Sequence, residues 1–281
     1  MGSTVRESTC YDSTYLAEYY DIWTGTRNDT SYNSKALVQM VSKAPSSHIL
    51  VLDACTGTGR LIQAITSYAK DQPGISLANV EFIGLDNEPH MIARAEKINS
   101  KLPVQAGCQS IIWLLGSALD MSSLPTFQSK KVDLLTVGFG SISHFYQPGQ
   151  PEKFLEEVAH ILTPRTGIAH ISVVSKLIAD PELGLDKDIT DPLPPSEHSS
   201  VEFPGVVYRE KVVENGVQGN IWRVVRDIEV WKDETLIEKN LDTALFRVWT
   251  EKELRELVAG AGLRVLEIIP QEVDTLFVVG F

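Results

Sequence analysis

Between residues 48 and 174 short aliphatic runs alternate with stretches of helical periodicity, and this rhythm restricts the possible folds more than any other feature. Runs that are apolar at successive positions suit strands covered on both faces, and parallel strands need crossover helices between them. The pattern predicts βα units around one open sheet. Strands are expected at His48–Leu52, Val80–Asp86, Ile111–Gly116, Val132–Val137 and Ile168–Val174, with helices at Leu61–Tyr68, Glu88–Ile98 and from Pro151 onward. Residues 176–200, with Pro192, Pro194 and Pro195, read as loop, and the rhythm then changes. Val206–Val213, Asn220–Trp231 and Thr235–Val248 are long strand-like stretches separated by Glu214-Asn215-Gly216 and Lys232-Asp233-Glu234, the pattern of an antiparallel sheet. A helix capped by Thr250 with Glu253 at N3, then strands at Arg264–Ile269 and Asp274–Phe281, restore the first pattern. The expected class is α/β: a doubly wound seven-stranded sheet with an antiparallel β insertion forming a lid.

Charge and composition remove several functions. Acidic residues number 37 against 25 basic ones, a formal charge of -12 with no basic patch, which argues against nucleic acid as a partner. No apolar run reaches the ~20 residues that cross a bilayer. Met1 to Glu18 show no apolar segment of a secretory signal, so no membrane partner is expected. Three scattered cysteines, Cys10, Cys55 and Cys108, suit a reducing, cytoplasmic setting. No His/Cys/Asp group has metal-ligand spacing, and no serine belongs to a credible triad.

The turn Asp53-Ala54-Cys55-Thr56-Gly57-Thr58-Gly59 lies at the first strand-to-helix junction, where open α/β sheets bind ligands and glycine lets the backbone come close. Asp86 ends the second strand, placed either to accept from both hydroxyls of a ribose or to cap the next helix. Asn87 follows it, and Met91 falls one helical turn later, where it would cover an adenine face. Asp120-Met121, after the third strand, would meet the adenine amino group or form an ordinary loop acid.

Together these residues resemble the class I S-adenosylmethionine-dependent methyltransferases. Asp53, Gly57 and Gly59 match the D-x-x-x-G-x-G spacing, Gly84-Leu85-Asp86 with Met91 the ribose and adenine segment, and Asp120-Met121-x-x-Leu124-Pro125 the adenine-amine segment. The small-molecule branch that includes sugar N,N-dimethyltransferases shares the opening Ala17-Glu18-Tyr19-Tyr20-Asp21, a downstream tyrosine (here Tyr32), the position of the insertion and the closing strand Leu276–Gly280. The resemblance implies a Rossmann-like fold and S-adenosylmethionine as cofactor. It places Tyr20, Tyr32, Asp53, Ala54, Gly57, Gly59, Asp86, Asn87, Met91, Ser117, Asp120, Met121 and Gly138 around that cofactor. Two departures stand out: Cys55 replaces the usual Gly or Ala, and Leu119 precedes Asp120 where Gly is common, which makes Ser117 a rival for the adenine side. The implied division is a helical cap over 1–45, a Rossmann-like domain over 46–175 and 249–281, and an insertion over 176–248 that serves as acceptor lid or homodimer surface.

Methyl transfer from a sulfonium is an in-line displacement that depends on alignment and exclusion of water. A base is needed where the nucleophile starts protonated. Gly138-Phe139-Gly140-Ser141-Ile142-Ser143-His144 follows the fourth strand, where the methyl should point. His144 is the candidate base, with a reference pKa near ~6.5; its bland reading is a histidine that satisfies a loop carbonyl. Tyr15, Phe139, Ser141 and Trp222 are candidates to line the pocket of a small-molecule methyl acceptor. Tyr11, Tyr15, Tyr19, Tyr20 and Trp23 form either a lid or core packing. Trp231 and Trp249 wall the acceptor pocket or pack the insertion, and Arg27 pairs with the cofactor carboxylate or lies exposed. The reading is N- or O-methyl transfer to a small metabolite. Its rivals are a cyclisation on the same fold, a non-catalytic cofactor-binding subunit and a nicotinamide-dependent dehydrogenase.

Overall fold

The computed structural model describes residues 6–9, 11–25, 30–180, 182, 184–185 and 187–281. The first part of the chain runs β1 (Arg6–Ser8), α1 (Thr14–Thr24), α2 (Ser31–Lys43), β2 (Ile49–Ala54), α3 (Arg60–Lys70), β3 (Val80–Asp86), α4 (Pro89–Ile98), α5 (Leu102–Ala106) and β4 (Ser110–Leu115). It continues through α6 (Pro125–Ser129), β5 (Leu134–Val137), α7 (Gln150–Ile161), β6 (Ile168–Val174), β7 (Ser196–Ser199), β8 (Val206–Gln218), β9 (Ile221–Lys232) and β10 (Thr235–Arg247). The last elements are α8 (Glu251–Gly260), β11 (Arg264–Pro270) and β12 (Asp274–Gly280).

Seven strands form one sheet in the order β11-β12-β6-β5-β2-β3-β4. The pairs from β6 to β4 are parallel, and β12 runs antiparallel to β6 and β11. Every residue of β2, β3 and β5 is buried, which is why these strands read as continuous apolar runs. Side chains alternate across the sheet. Leu50 and Leu52 join a core with Phe154, Leu155 and Val158 of α7 and Leu254 and Val258 of α8, whereas Ile49 and Val51 join Leu37, Val41, Ile62 and Ile65 on the other face. From β2 the chain winds outward through β3 to β4 and returns to β5 on the opposite side of β2. That reversal opens a crevice beyond the carboxyl ends of β2 and β5, the place where doubly wound sheets take ligands.

A second sheet has the order β1-β10-β9-β8-β7; its pairs are antiparallel except β1, which lies parallel to β10. Two of its strands, β1 and β7, were not expected. Both are short and polar, and β7 falls in the stretch that reads as loop. The turn expected at Glu214-Asn215-Gly216 also moves. β8 continues through these residues by a register shift between Val212 and Glu214, and reverses after Gln218 with Gly219 at φ +60°. Asn215 is held inside the strand because its Oδ1 accepts from Trp222 Nε1 at 2.7 Å. Among the described residues no helix is long and apolar enough to cross a membrane.

Candidate cofactor and acceptor site

The turn after β2 is tightly wound. Cys55, Gly57 and Gly59 have φ of 59°, 56° and 83°, left-handed conformations that cost little for glycine and more for Cys55. Hydrogen bonds hold it in place. Asp53, 2% exposed, accepts from the Thr56 hydroxyl at 2.7 Å and from the Thr136 hydroxyl at 2.8 Å, tying the turn to β5. Burial pushes the Asp53 carboxyl up to about 6, against the pull of those two hydroxyls and Arg60. The Cys55 thiol is likewise pushed above its ordinary value, by burial first and then by the Asp86 and Asp53 carboxylates, so it stays protonated and unreactive.

Asp86 stands at the tip of β3. Its Oδ2 accepts from the Gly57 N–H at 2.8 Å and its Oδ1 from the Glu88 N–H at 3.0 Å. Burial raises its pKa while the N–H groups of Gly57, Glu88 and Asn87 oppose the rise. A carboxylate oxygen has two acceptor sites, and each of these oxygens uses one on the backbone. The second site on each fits a neighbouring pair of ribose hydroxyls, so the donor chemistry of a nucleoside cofactor suits this strand end. Tyr20 of α1 covers the turn: a methyl group on Gly57 would lie 3.5 Å from its ring.

The expected residues are placed unequally around this point. Ala54 and Met91 are buried beside it, whereas Asn87, Ser117 and Asp120 are exposed. Ser117 Oγ accepts from the Leu119 N–H at 3.1 Å. Met121, expected at the cofactor, is fully buried and packs into the core shared with α7. Tyr32 lies on α2, 38% exposed, with Lys35 Nζ 5.6 Å from its ring centre. Arg27 and Cys10 lie outside the described residues.

Beyond β5 the chain passes through Gly138 and the left-handed Phe139 (φ 54°) and Gly140 (φ 65°) into a 3-10 turn over Ser141–His144. Ser141 Oγ donates to the Gly138 carbonyl at 2.9 Å, closing the turn. His144 faces Phe246 at 4.7 Å and Tyr11 at 6.4 Å between ring centres. Tyr11 also meets Tyr20 at 5.8 Å, Phe246 meets Trp222 at 5.1 Å, and Trp23 meets Phe139 at 5.7 Å. Aromatic rings thus form a rim from Tyr20 over the glycine turn, past His144, to Trp222 of the second sheet. The reference pKa assumed for His144 does not survive folding. Burial, and then the Arg226 charge, bring it down to about 4, so the ring is neutral at pH 7. Tyr15 packs edge-on against Phe203 at 4.8 Å, in the contact between α1 and the second sheet. Trp249 is fully buried and donates to Ser143 Oγ at 2.9 Å, and Trp231 donates to Glu229; both pack the structure.

Two features escaped the sequence reading. Trp113 of β4 slides between Gly84 and Gly59, whose added Cβ atoms would lie 2.5 and 2.3 Å from its ring; a glycine inside a strand was the available signal. Arg226 of β9 is buried on the same face as Trp222, held by Asp242 at 2.8 and 2.5 Å, with Glu210 at 3.7 Å and the Trp23 ring at 5.4 Å. Period-two alternation along Trp222, Val224, Arg226, Ile228 and Val230 puts a cation among inward-facing apolar positions. Among the described residues no cluster has the makings of a metal site.

A methyltransferase domain family matches residues 51–165, the span from β2 to the end of α7 and the turn after it. The N-methyltransferase FrzE from Cladobotryum sp is 28% identical over 285 residues, covering 95% of this chain and 94% of its own. Among solved structures, the sugar N-methyltransferase KedS8 from Streptoalloteichus sp has a TM-score of 0.67 at 16% identity, over 100% of this chain and 97% of its own. An S-adenosylmethionine-dependent methyltransferase from Clostridium acetobutylicum has a TM-score of 0.66 at 14% identity, over 97% and 99%. The glycine turn and the strand-tip carboxylate lie within the span that the methyltransferase domain family matches, and the sheet order is that of the S-adenosylmethionine-dependent methyltransferase structures, whose Rossmann-like fold this chain shares.

Proposed function

We propose that the chain methylates the nitrogen of a small-molecule amine. The observation that carries this reading is the place of His144 in the aromatic rim, 4.7 Å from Phe246 and 6.4 Å from Tyr11 between ring centres, where burial lowers its pKa to about 4. Attack by a hydroxyl needs a base that takes the proton as charge builds, and so weak a base does this poorly. A free amine attacks with its own lone pair and sheds its proton afterwards. The name of the fungal relative, an N-methyltransferase, supports the same choice.

When bound, S-adenosylmethionine supplies a methyl group on a positively charged sulfur, so alignment is the main task left to the protein. Asp86 holds the ribose and the turn from Asp53 to Gly59 receives the amino-acid end. Met91 and the turn from Ser117 to Met121 flank the adenine side, and Tyr20 closes over the turn. The left-handed Phe139 and Gly140 aim the segment so that His144 accepts a hydrogen bond from the amine and fixes its lone pair. The aromatic rim, with Trp222 on the second sheet, excludes water. In this reading residues 176–248 cap the acceptor and 1–45 form the opposite wall.

The test is incubation with methyl-labelled cofactor and a panel of amines, phenols and carboxylic acids, followed by product mass. Labelled N-methyl products, heavier by one methylene unit, are expected from amines alone. His144→Ala should lower kcat by about tenfold, the loss of one positioning hydrogen bond rather than of a general base, with affinity for S-adenosylhomocysteine unchanged. Labelled phenols without labelled amines would reject the nitrogen assignment, and a product of unchanged mass would point to cyclisation.

A further inference from the structure

The buried apolar side chains of helix α1 go to the second sheet, while at its other end Trp23 meets Phe139 and Tyr20 stands over Gly57. Leu16 and Tyr19 pack with Val206, Tyr208, Ile228 and Val230 in a cluster separate from the two cores of the main sheet. A carboxylate reinforces that attachment. Glu18 accepts from Ser200 Oγ at 2.6 Å, from the N–H groups of Val201 and Glu202 at 2.8 and 2.7 Å, and from the Tyr208 hydroxyl at 2.6 Å. One turn along the helix a second carboxylate points to the cofactor side. Asp21 Oδ1 accepts from the Thr58 hydroxyl, inside the glycine turn, at 2.5 Å. Asp21 Oδ2 accepts from Arg94 Nε of α4, also at 2.5 Å, and Arg94 Nη1 donates to Glu202 Oε2 at 2.6 Å. Lys97 joins Glu202 as well. One chain of hydrogen bonds, Thr58–Asp21–Arg94–Glu202, therefore links the glycine turn, α1, α4 and the loop between β7 and β8.

We propose that Asp21 and Arg94 are positioning residues that latch α1 and the second sheet onto the glycine turn once S-adenosylmethionine lies beneath Tyr20. A seam of polar and charged bonds exchanges bonds to water for bonds to protein with little net preference, so it opens and closes more readily than an apolar seam. With the latch shut, the Tyr20 ring stands over Gly57 and covers the path to the turn. Entry of the cofactor requires α1 to lift; its bound form then adds contacts to α1 and shifts the balance to the closed state. Closure completes the aromatic rim, because Tyr20 and Trp23 ride on α1. The proposal rests on the cofactor site described above, and its test reads binding and amide exchange rather than turnover.

The full-length protein, Arg94→Gln, Asp21→Asn and Arg94→Lys are compared by calorimetry with S-adenosylhomocysteine and by hydrogen exchange over residues 13–25, at low and high salt. In the unsubstituted protein the ligand should slow exchange across 13–25, and affinity should fall as salt rises. Arg94→Gln and Asp21→Asn should each weaken the ligand about tenfold, the effect of losing one charge-assisted bond. Their exchange over 13–25 should stay fast with ligand bound and their salt dependence should flatten, while Arg94→Lys recovers part of the affinity. The proposal is overturned if bound ligand leaves exchange over 13–25 unchanged, or if Arg94→Gln keeps both the original affinity and the original salt slope. Absence of ligand binding to the unsubstituted protein would remove the cofactor site itself, and the latch with it.

Discussion

Trp113 decides the identity of two glycines that a motif reading attributes to the ligand. Gly59 belongs to the D-x-x-x-G-x-G spacing that the sequence displays, but its nearest neighbour is the indole, at 2.3 Å from an added Cβ. Gly84 meets the same ring at 2.5 Å without a left-handed backbone, so it isolates the steric effect. Gly84→Ala is expected to destabilise the fold by about 1–3 kcal/mol through overpacking, and Trp113→Leu beside it should recover part of that loss. Denaturant titrations of the two single variants and the double variant check this; strict additivity would show that the ring yields freely. Asp53 teaches a related lesson. The sequence marks it as a candidate cofactor residue, and both of its oxygens are engaged by Thr56 and Thr136, partners brought together by the β2–β5 pairing. The partners of Arg226 and Trp113 were hidden for the same reason: they lie on other strands, and only tertiary structure supplies them.

Elements with local causes were readable to within a residue or two. Helix α8 begins where its cap requires: Thr250 has an extended backbone and its hydroxyl accepts from the Glu253 N–H at 3.1 Å. Glu253 does not complete the reciprocal half of the box, because its carboxylate pairs with Arg247. Thr250→Ala should therefore cost about 1 kcal/mol, the usual loss for an N-cap hydroxyl, seen as a lower denaturant midpoint with an unchanged slope. Thr250→Asn should restore it, and an unaltered midpoint in Thr250→Ala would show that the cap is dispensable here. The strands β1 and β7 have no such local cause. Edge strands that are short and polar are held by the partner they pair with, and β8 overrides an Asn-Gly turn signal because Trp222 and a register shift keep Asn215 in the strand.

Acidity acts on the molecule as a whole through groups that folding has buried. His144 and His170 are both brought down to about 4 by burial, with Arg226 adding to the effect on His144. His170 Nδ1 lies 2.6 Å from Asn33 Oδ1, joining β6 to α2. In the unfolded chain each imidazole takes up its proton near ~6.5, whereas the folded chain refuses it until about 4. The unfolded state then binds more protons across that window, so stability from these groups is complete above ~6.5 and is lost as pH falls toward 4. Asp53 acts in the opposite sense. With its carboxyl pushed up to about 6 from an ordinary 3.8, the folded state takes the proton first, and stability rises as pH falls from about 6 to 3.8. The histidines therefore act unopposed just below neutrality, and Asp53 offsets one of them at lower pH. His170→Gln keeps an amide that can donate to Asn33 and removes one titrating ring. Its unfolding free energy should fall less steeply than that of the unsubstituted protein below ~6.5, by up to about 1.4 kcal/mol per pH unit. Denaturant unfolding of both proteins at three pH values between neutrality and acid measures the difference, and parallel slopes would mean that His170 is protonated as readily in the folded sheet as in the open chain.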